Sequence, residues 1–163
     1  MKTILTERCI LIPLSEVDFE ELTPLITGEE VRRYLGGVRP PEDSFNGWRE
    51  SMKAVNEYPF TVRLQKSNIA IGLVVLAPHH NPEDMEISFM FMPEHWGNGY
   101  ARETVKALLE FCGRKLKLKR VVSETQTANM RSRKMLEKSG YVIESEQERF
   151  GEKQSIYAFH IVR

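Results

Sequence analysis

Apolar positions along this chain follow two rhythms, and the switches between them mark its elements. Arg8 to Leu14 (RCILIPL) carries the apolar density of a short strand, and Pro13 near its end points to a sheet edge. Ser15 then stands as the N-cap of a helix running to about Ile26, with Glu16, Asp18, Glu20 and Glu21 in its early turns and Gly28 as its stop. A second short helix covers Glu29 to Leu35 and closes at Gly36-Gly37; Arg39-Pro40-Pro41 is a loop. Phe45, Trp48, Met52 and Val55 are spaced three and four apart, which predicts an amphipathic helix from Glu42 to about Glu57. Strands follow at Phe60–Leu64 and Ile69–Leu76, turning at Lys66-Ser67-Asn68, and after the polar loop Pro78–Pro82 another strand spans Glu86 to Met92. The strongest helical pattern lies between Gly97 and Leu116, where Ala101, Thr104, Val105, Leu108, Cys112 and Leu116 form one stripe. Val121 to Thr125 reads as a strand and Asn129 to Ser139 as a helix capped by Asn129 and stopped by Gly140. Tyr141–Arg149 and Gln154–Val162 read as a closing hairpin. This order predicts a mixed α/β sheet with antiparallel hairpins at both ends and a crossover helix in the middle.

Length and charge narrow the function. A chain of 163 residues suits one domain, 1–163, with a sizeable core. Lys+Arg and Asp+Glu both total 23, so the formal net charge is zero, which argues against nucleic acid as the main partner but leaves room for a small acidic ligand. The apolar runs are far too short to span a membrane, and residues 1–8 lack an apolar signal core. Cys9 and Cys112 sit in apolar patterns and read as reduced core residues, so the expected location is cytoplasmic. His79, His80, His95 and His160 show no metal-ligand spacing, and no metal is expected.

The chemistry concentrates at the turn Trp96-Gly97-Asn98-Gly99-Tyr100-Ala101-Arg102, between a strand and a long helix. Such a junction aims several backbone N–H groups, at the positive end of a helix dipole, at one point, and that point binds phosphate. Bare Gly97 and Gly99 let the backbone approach a bulky anion. A dinucleotide fold would want a third glycine where Arg102 stands and a longer remaining chain, although Glu124 lies near the position of its acidic residue. No G-x-x-x-x-G-K-[ST] run is present. A second constellation, Asn129 to Tyr141, starts just past the Val121–Thr125 strand; taken alone it is an ordinary capped helix, and its position beside the central strand gives it interest.

Together these two runs resemble the GNAT superfamily of acetyl-CoA-dependent N-acetyltransferases. Trp96 to Ala101 matches its pyrophosphate loop, Q/R-x-x-G-x-G/A, and Asn129 to Tyr141 matches its N-x-x-S-x-x-x-x-x-x-x-G-[FY] helix. The opening Thr6-Glu7-Arg8-Cys9-Ile10-Leu11-Ile12-Pro13-Leu14 resembles the start of the branch holding the Rim-type ribosomal-protein N-terminal acetyltransferases. The resemblance implies a mixed sheet of six or seven strands with about four helices and a splay between the central strands. It implies acetyl transfer from acetyl-CoA to a primary amine on a peptide or small molecule, with no metal, and a possible homodimer. Pantetheine would pair with backbone at Met90, Phe91 and Met92. The pyrophosphate would sit on Gly97, Asn98, Gly99, Tyr100, Ala101 and Arg102, Asn129 would bond the pantetheine arm, and Arg131, Arg133 or Lys134 would reach the nucleotide phosphates. Trp48, Tyr34 and Tyr58 are candidates for lining the acceptor pocket, with a core role as the plainer reading. Glu86 is the first choice of general base, with Glu124 the second, and backbone around Phe89 to Phe91 is the oxyanion site. Two positions depart from the family pattern: Trp96 replaces Gln or Arg, and Leu136 stands where many members carry a tyrosine acid. Thiolate protonation then falls to the motif serine, Ser132. The competing reading is a non-catalytic acetyl-CoA-binding sensor or partner module.

Overall fold

The computed structural model describes residues 2–162. Eight strands form one mixed sheet: β1 (Ile4–Leu5), β2 (Cys9–Pro13), β3 (Tyr58–Leu64), β4 (Ala70–Pro78), β5 (Met85–Phe91), β6 (Arg120–Gln126), β7 (Val142–Arg149) and β8 (Glu152–His160). Their spatial order is β1-β2-β3-β4-β5-β6-β8-β7, and every neighbour is antiparallel except the pair β5 and β6. That parallel pair needs a crossover, which α5 (Tyr100–Arg114) supplies; α6 (Met130–Lys138) follows β6. The helices α1 (Phe19–Leu22), α2 (Pro24–Thr27), α3 (Glu29–Arg32) and α4 (Pro41–Lys53) lie between β2 and β3 in the chain. Among the described residues, no helix is long and apolar enough to cross a membrane.

Two cores flank the sheet. Val105, Leu108, Leu109 and Cys112 of α5 and Leu136 of α6 pack with Leu11, Phe60, Val74, Ile87 and Val121 on one face. Phe19, Leu22, Leu25 and Val31 pack with Leu73 and Met92 on the other, where Phe45 stacks on Phe19 at 4.9 Å. The pairing Glu86↔Val122 is the one register position joining β5 to β6. Beyond it the two strands part, so the sheet carries the expected splay.

Several expectations change. The sheet has eight strands because Ile4–Leu5 adds a two-residue edge against Leu11 and Ile10. β2 is therefore not an edge strand; Pro13 is tolerated because β1 ends short of it, leaving its nitrogen no ladder partner to lose. The helix expected from Ser15 to Ile26 is broken: a 3-10 turn at Glu16–Asp18 leads into α1, and Pro24 starts α2 anew because proline has no N–H to continue a ladder. Asp18 explains the local geometry. Its carboxylate accepts from the Ser15 N–H and the Thr61 hydroxyl and meets Arg63 at 2.6 Å, which pins this turn to the sheet. Cys9 and Cys112 are free and buried, and burial pushes their thiols up to about 11 and about 12.

Candidate functional site

The turn between β5 and α5 has the backbone geometry that a phosphate cradle needs. Gly97 and Gly99 adopt φ of +78° and +82°, the left-handed region that side-chain-bearing residues avoid. An added Cβ at Gly97 would meet only open space, so nothing of the protein fills the volume above the turn. The first intrahelical bond of α5 runs from the Glu103 N–H to the Gly99 carbonyl. The N–H groups of residues 97–102 donate to no protein acceptor among the described residues. Orphan amides at the N-terminus of a fifteen-residue helix are what an anion requires.

A second layer holds that turn in shape. Glu103 accepts from the Thr6 hydroxyl, from the Arg8 N–H at 2.7 Å and from Arg8 Nε at 2.7 Å. Arg8 Nη1 in turn donates to the Asn98 carbonyl at 2.9 Å, and its guanidinium lies 4.6 Å from the centre of the Tyr100 ring. The Thr6-Glu7-Arg8 opening thus buckles the strand before β2 onto the cradle. A lone exposed ion pair contributes little; this one is useful because it fixes a carbonyl inside the turn. Arg8→Ala is expected to weaken binding of a diphosphate-bearing ligand at this turn severalfold, measured by isothermal titration.

Trp96 closes the distance between the two motif runs. Its indole N–H donates to the Phe91 carbonyl at 2.7 Å, and Arg131 of α6 lies 3.9 Å over its ring. Trp96 therefore does with an indole what a polar side chain would do, and adds a stacking surface. Arg131 stacks on this ring with its in-plane N–H groups making no hydrogen bond among the described residues, and Arg133 donates to the Tyr157 hydroxyl and the Thr127 carbonyl. Of the three cations expected to reach the nucleotide, Arg133 is the one whose guanidinium is tied to protein acceptors.

Alternation along β5 decides which backbone groups face the splay. The Met92 N–H donates to Ile71 across the sheet, so Met92, and Met90 with the same parity, point their backbone groups at β4. Ile87, Phe89 and Phe91 point theirs at the splay: the Ile87 carbonyl accepts from Ser123 Oγ at 2.7 Å and the Phe91 carbonyl from Trp96. The expectation of backbone pairing at Met90, Phe91 and Met92 narrows to Phe91, with Phe89 as the other open amide. Ser123 Oγ and the Glu86 carboxylate, which accepts the Glu124 N–H at 3.3 Å, take up the groups that a continued ladder would have paired. These two side chains hold the splay open.

Side chains at Glu86, Ser88 and Met90 project to the opposite face, where Met90 packs against the α1–α4 core. Burial pushes the Glu86 carboxyl up to about 7; the Glu124 charge works in the same direction and the Glu124 N–H against it. Glu124 is only 8% exposed at its side chain and lies 3.0 Å from His79 Nε2, 3.4 Å from His80 Nδ1 and 3.5 Å from Arg149 Nε. His79, His80 and Glu124 thus converge, although no sequence spacing announced them. The Asn81 N–H donates to His79 Nδ1, which places the ring proton on Nε2 and makes Nε2 a donor to Glu124. A protonated nitrogen beside a guanidinium suits a hydrogen-bonded carboxylate clamp better than a metal.

On α6, Asn129 Oδ1 caps the helix by accepting from the Ser132 N–H at 3.2 Å, which leaves its amide nitrogen for a ligand. The Ser132 hydroxyl is half-buried and has no partner among the described residues. Leu136 is buried in the core and offers no proton. Trp48 packs edge-on against Phe19 and is a core residue, while Tyr58 meets Phe111 on the α5 face, away from the acceptor side; Tyr34 is half-buried in the turn after α3.

Comparison with known proteins identifies the family and the fold. Residues 8–142 match the acetyltransferase (GNAT) domain model. The chain is 35% identical over 147 residues to the FsC-acetyl coenzyme A-N(2)-transacetylase of Aspergillus fumigatus, covering 82% of this chain and 62% of that protein. A solved GNAT-family acetyltransferase from Bacillus anthracis superposes with a TM-score of 0.86 at 26% identity, covering 98% of each chain. A Salmonella typhimurium acetyltransferase that modifies the N-terminal serine of ribosomal protein L7/L12 shares the fold, with a TM-score of 0.85 at 15% identity over 99% of this chain and all (100%) of that one.

Proposed function

This chain belongs to the acetyltransferase (GNAT) family, and on that premise we propose that it transfers acetyl from acetyl-CoA directly to a primary amine on a small molecule or peptide. The observation that carries the reading is the row of unpaired amides at 97–102 opening beside a splay that has Glu86 on its far face. Acetyl-CoA is the cosubstrate. Its diphosphate fits the cradle, its pantetheine fits the open Phe91 edge, and Asn129 supports the arm. Lying along that edge, the thioester carbonyl meets the Phe89 N–H, whose donation stabilises the developing oxyanion.

The amine must lose a proton to attack. An α-amino group with pKa near 8 needs less help than a lysine near 10.4. Glu86, poised near 7, takes that proton directly or through one water. The tetrahedral intermediate then expels the thiolate, which the Ser132 hydroxyl protonates as it takes a proton from water, and the proton held by Glu86 returns to solvent. Ser132→Ala is expected to lower kcat about tenfold to a hundredfold with the acetyl-CoA KM held within twofold, measured by thiol release. A KM effect alone would make Ser132 a packing residue.

Release of free CoA upon incubation with acetyl-CoA and a panel of peptides, amino acids, polyamines and aminoglycosides tests the proposal. Leu136 favours the second reading, a module that binds acetyl-CoA without turnover. Tight binding with a residual rate indifferent to both Ser132→Ala and Glu86→Gln would establish that reading instead.

A further inference from the structure

Among the described residues two arginines are buried, and they are treated differently. Arg63, 9% exposed, sits between two carboxylates, Asp18 at 2.6 Å and Glu21 at 2.9 Å. Arg32, 7% exposed, has no carboxylate within ion-pair distance among the described residues. Its Nε donates to the Gly37 carbonyl at 2.9 Å, its Nη2 to the Leu35 carbonyl, and its Nη1 faces Met90 Sδ at 3.9 Å. Those contacts staple the turn after α3 but supply no negative charge. The short α3 ends there, so its carbonyl dipoles offset part of the cost. Burial and the nearby Arg39 both act against the charge. Buried charges in proteins are paired, and an unpaired one is expensive.

The contact with Met90 fixes where Arg32 stands relative to the splay. Met90 follows Phe89, whose amide faces the splay, and its side chain shares the face that Glu86 occupies. Through Met90 the guanidinium lies on the face that carries Glu86, four strand positions or about 13 Å along β5 from it and one position from Phe89, a span that a chain of a few methylenes covers between the two side chains. We propose that Arg32 is an anion subsite for the acceptor: the substrate is an amine that carries a carboxylate a few bonds away, as in an ω-amino acid, and not a polycation. This rests on the acetyltransferase reading above and names its substrate class. The partly free Nη1 and Nη2 form the fork that receives the carboxylate, a geometry that lysine and glutamine do not reproduce.

The test compares 4-aminobutanoate, 5-aminopentanoate and 6-aminohexanoate with the matching alkylamines, at saturating acetyl-CoA, on the wild type, Arg32→Gln and Arg32→Lys. Melting curves confirm that each variant folds. The wild type should prefer the best amino acid over its alkylamine by about tenfold or more in kcat/KM, chiefly through KM. Arg32→Gln should lose that preference while keeping the alkylamine rate, and Arg32→Lys should keep part of it. A wild type that treats each pair alike, or a preference that survives Arg32→Gln, overturns the subsite. Should Arg32→Gln fail to fold, the Arg32→Lys preference decides alone: an undiminished preference overturns the proposal. Should no amine be acetylated, the proposed activity falls, and the subsite is then judged by calorimetric titration of 6-aminohexanoate into the CoA-loaded protein. Heat that Arg32→Gln or Arg32→Lys diminishes supports it, and no heat overturns it.

Discussion

Glu86→Gln is expected to lower kcat by about a hundredfold to ten thousandfold, with the acetyl-CoA KM unchanged. The wild-type profile of kcat/KM should rise with pH through about 7 as the Glu86 carboxyl ionises, and that inflection should vanish in the variant. The same substitution should stabilise the fold, and the sign follows from burial. The carboxyl titrates at about 7 in the folded protein against an ordinary 4.5, so the folded state binds the proton more tightly. Its contribution is favourable below about pH 4.5 and is lost as the pH rises through about 7. At pH 8 a neutral amide therefore gains up to about 3 kcal/mol, and at pH 5 far less. Thermal melts at the two pH values check this. A variant that is slower yet more stable only above neutrality marks a group held strained for catalysis; equal destabilisation at both pH values would mark Glu86 as a structural residue.

Gly99→Val is expected to weaken acetyl-CoA binding by about ten to a hundredfold. A β-branched residue held at φ near +82° costs about 1–2 kcal/mol in backbone strain. Relief of that strain rotates the peptide planes on which the open amides of 97–102 depend. The added Cβ also meets Arg8 Nη2 at 3.4 Å, pressing on the side chain that fixes the Asn98 carbonyl. Isothermal titration with acetyl-CoA measures the loss, and Gly97→Ala offers a milder version with open space around its Cβ. The affinity should fall while kcat at saturation falls less, because the cradle binds ground and transition states alike. A variant that binds as tightly as the wild type would remove the cradle from the account.

What was legible in the sequence was local. The long helix at 100–114 announced itself through its apolar stripe, and the cap at Asn129 and stop at Gly140 bounded α6 within a residue. The cradle could be read because its ingredients, strand, glycines and helix, are consecutive. The local errors have local causes: β1 is too short to show a period, Pro24 was passed over as a helix breaker, and Val55, counted in the stripe of the third helix, lies exposed beyond its end at Lys53. Most of what escaped joins distant segments. Glu103 meets Thr6 and Arg8 across more than ninety positions, with separations of 97 and 95. His79 and Glu124 are 45 apart, and nothing in a lone histidine pair foretells a carboxylate clamp. Arg32 gave no signal because the lack of a counter-charge is a property of packing. Choosing among Met90, Phe91 and Met92 required the register against β4, which fixes what strand alternation leaves open.

In the proposed complex an acyl-CoA diphosphate rests on the bare amides that begin α5, with the thioester arm in the splay. Amide chemical-shift mapping during titration with acetyl-CoA reads this residue by residue. The account expects the largest displacements at 97–102, Phe89 and Phe91, with Met92, bonded to Ile71, moving little. Saturable binding that leaves 97–102 unshifted and moves residues elsewhere would contradict it.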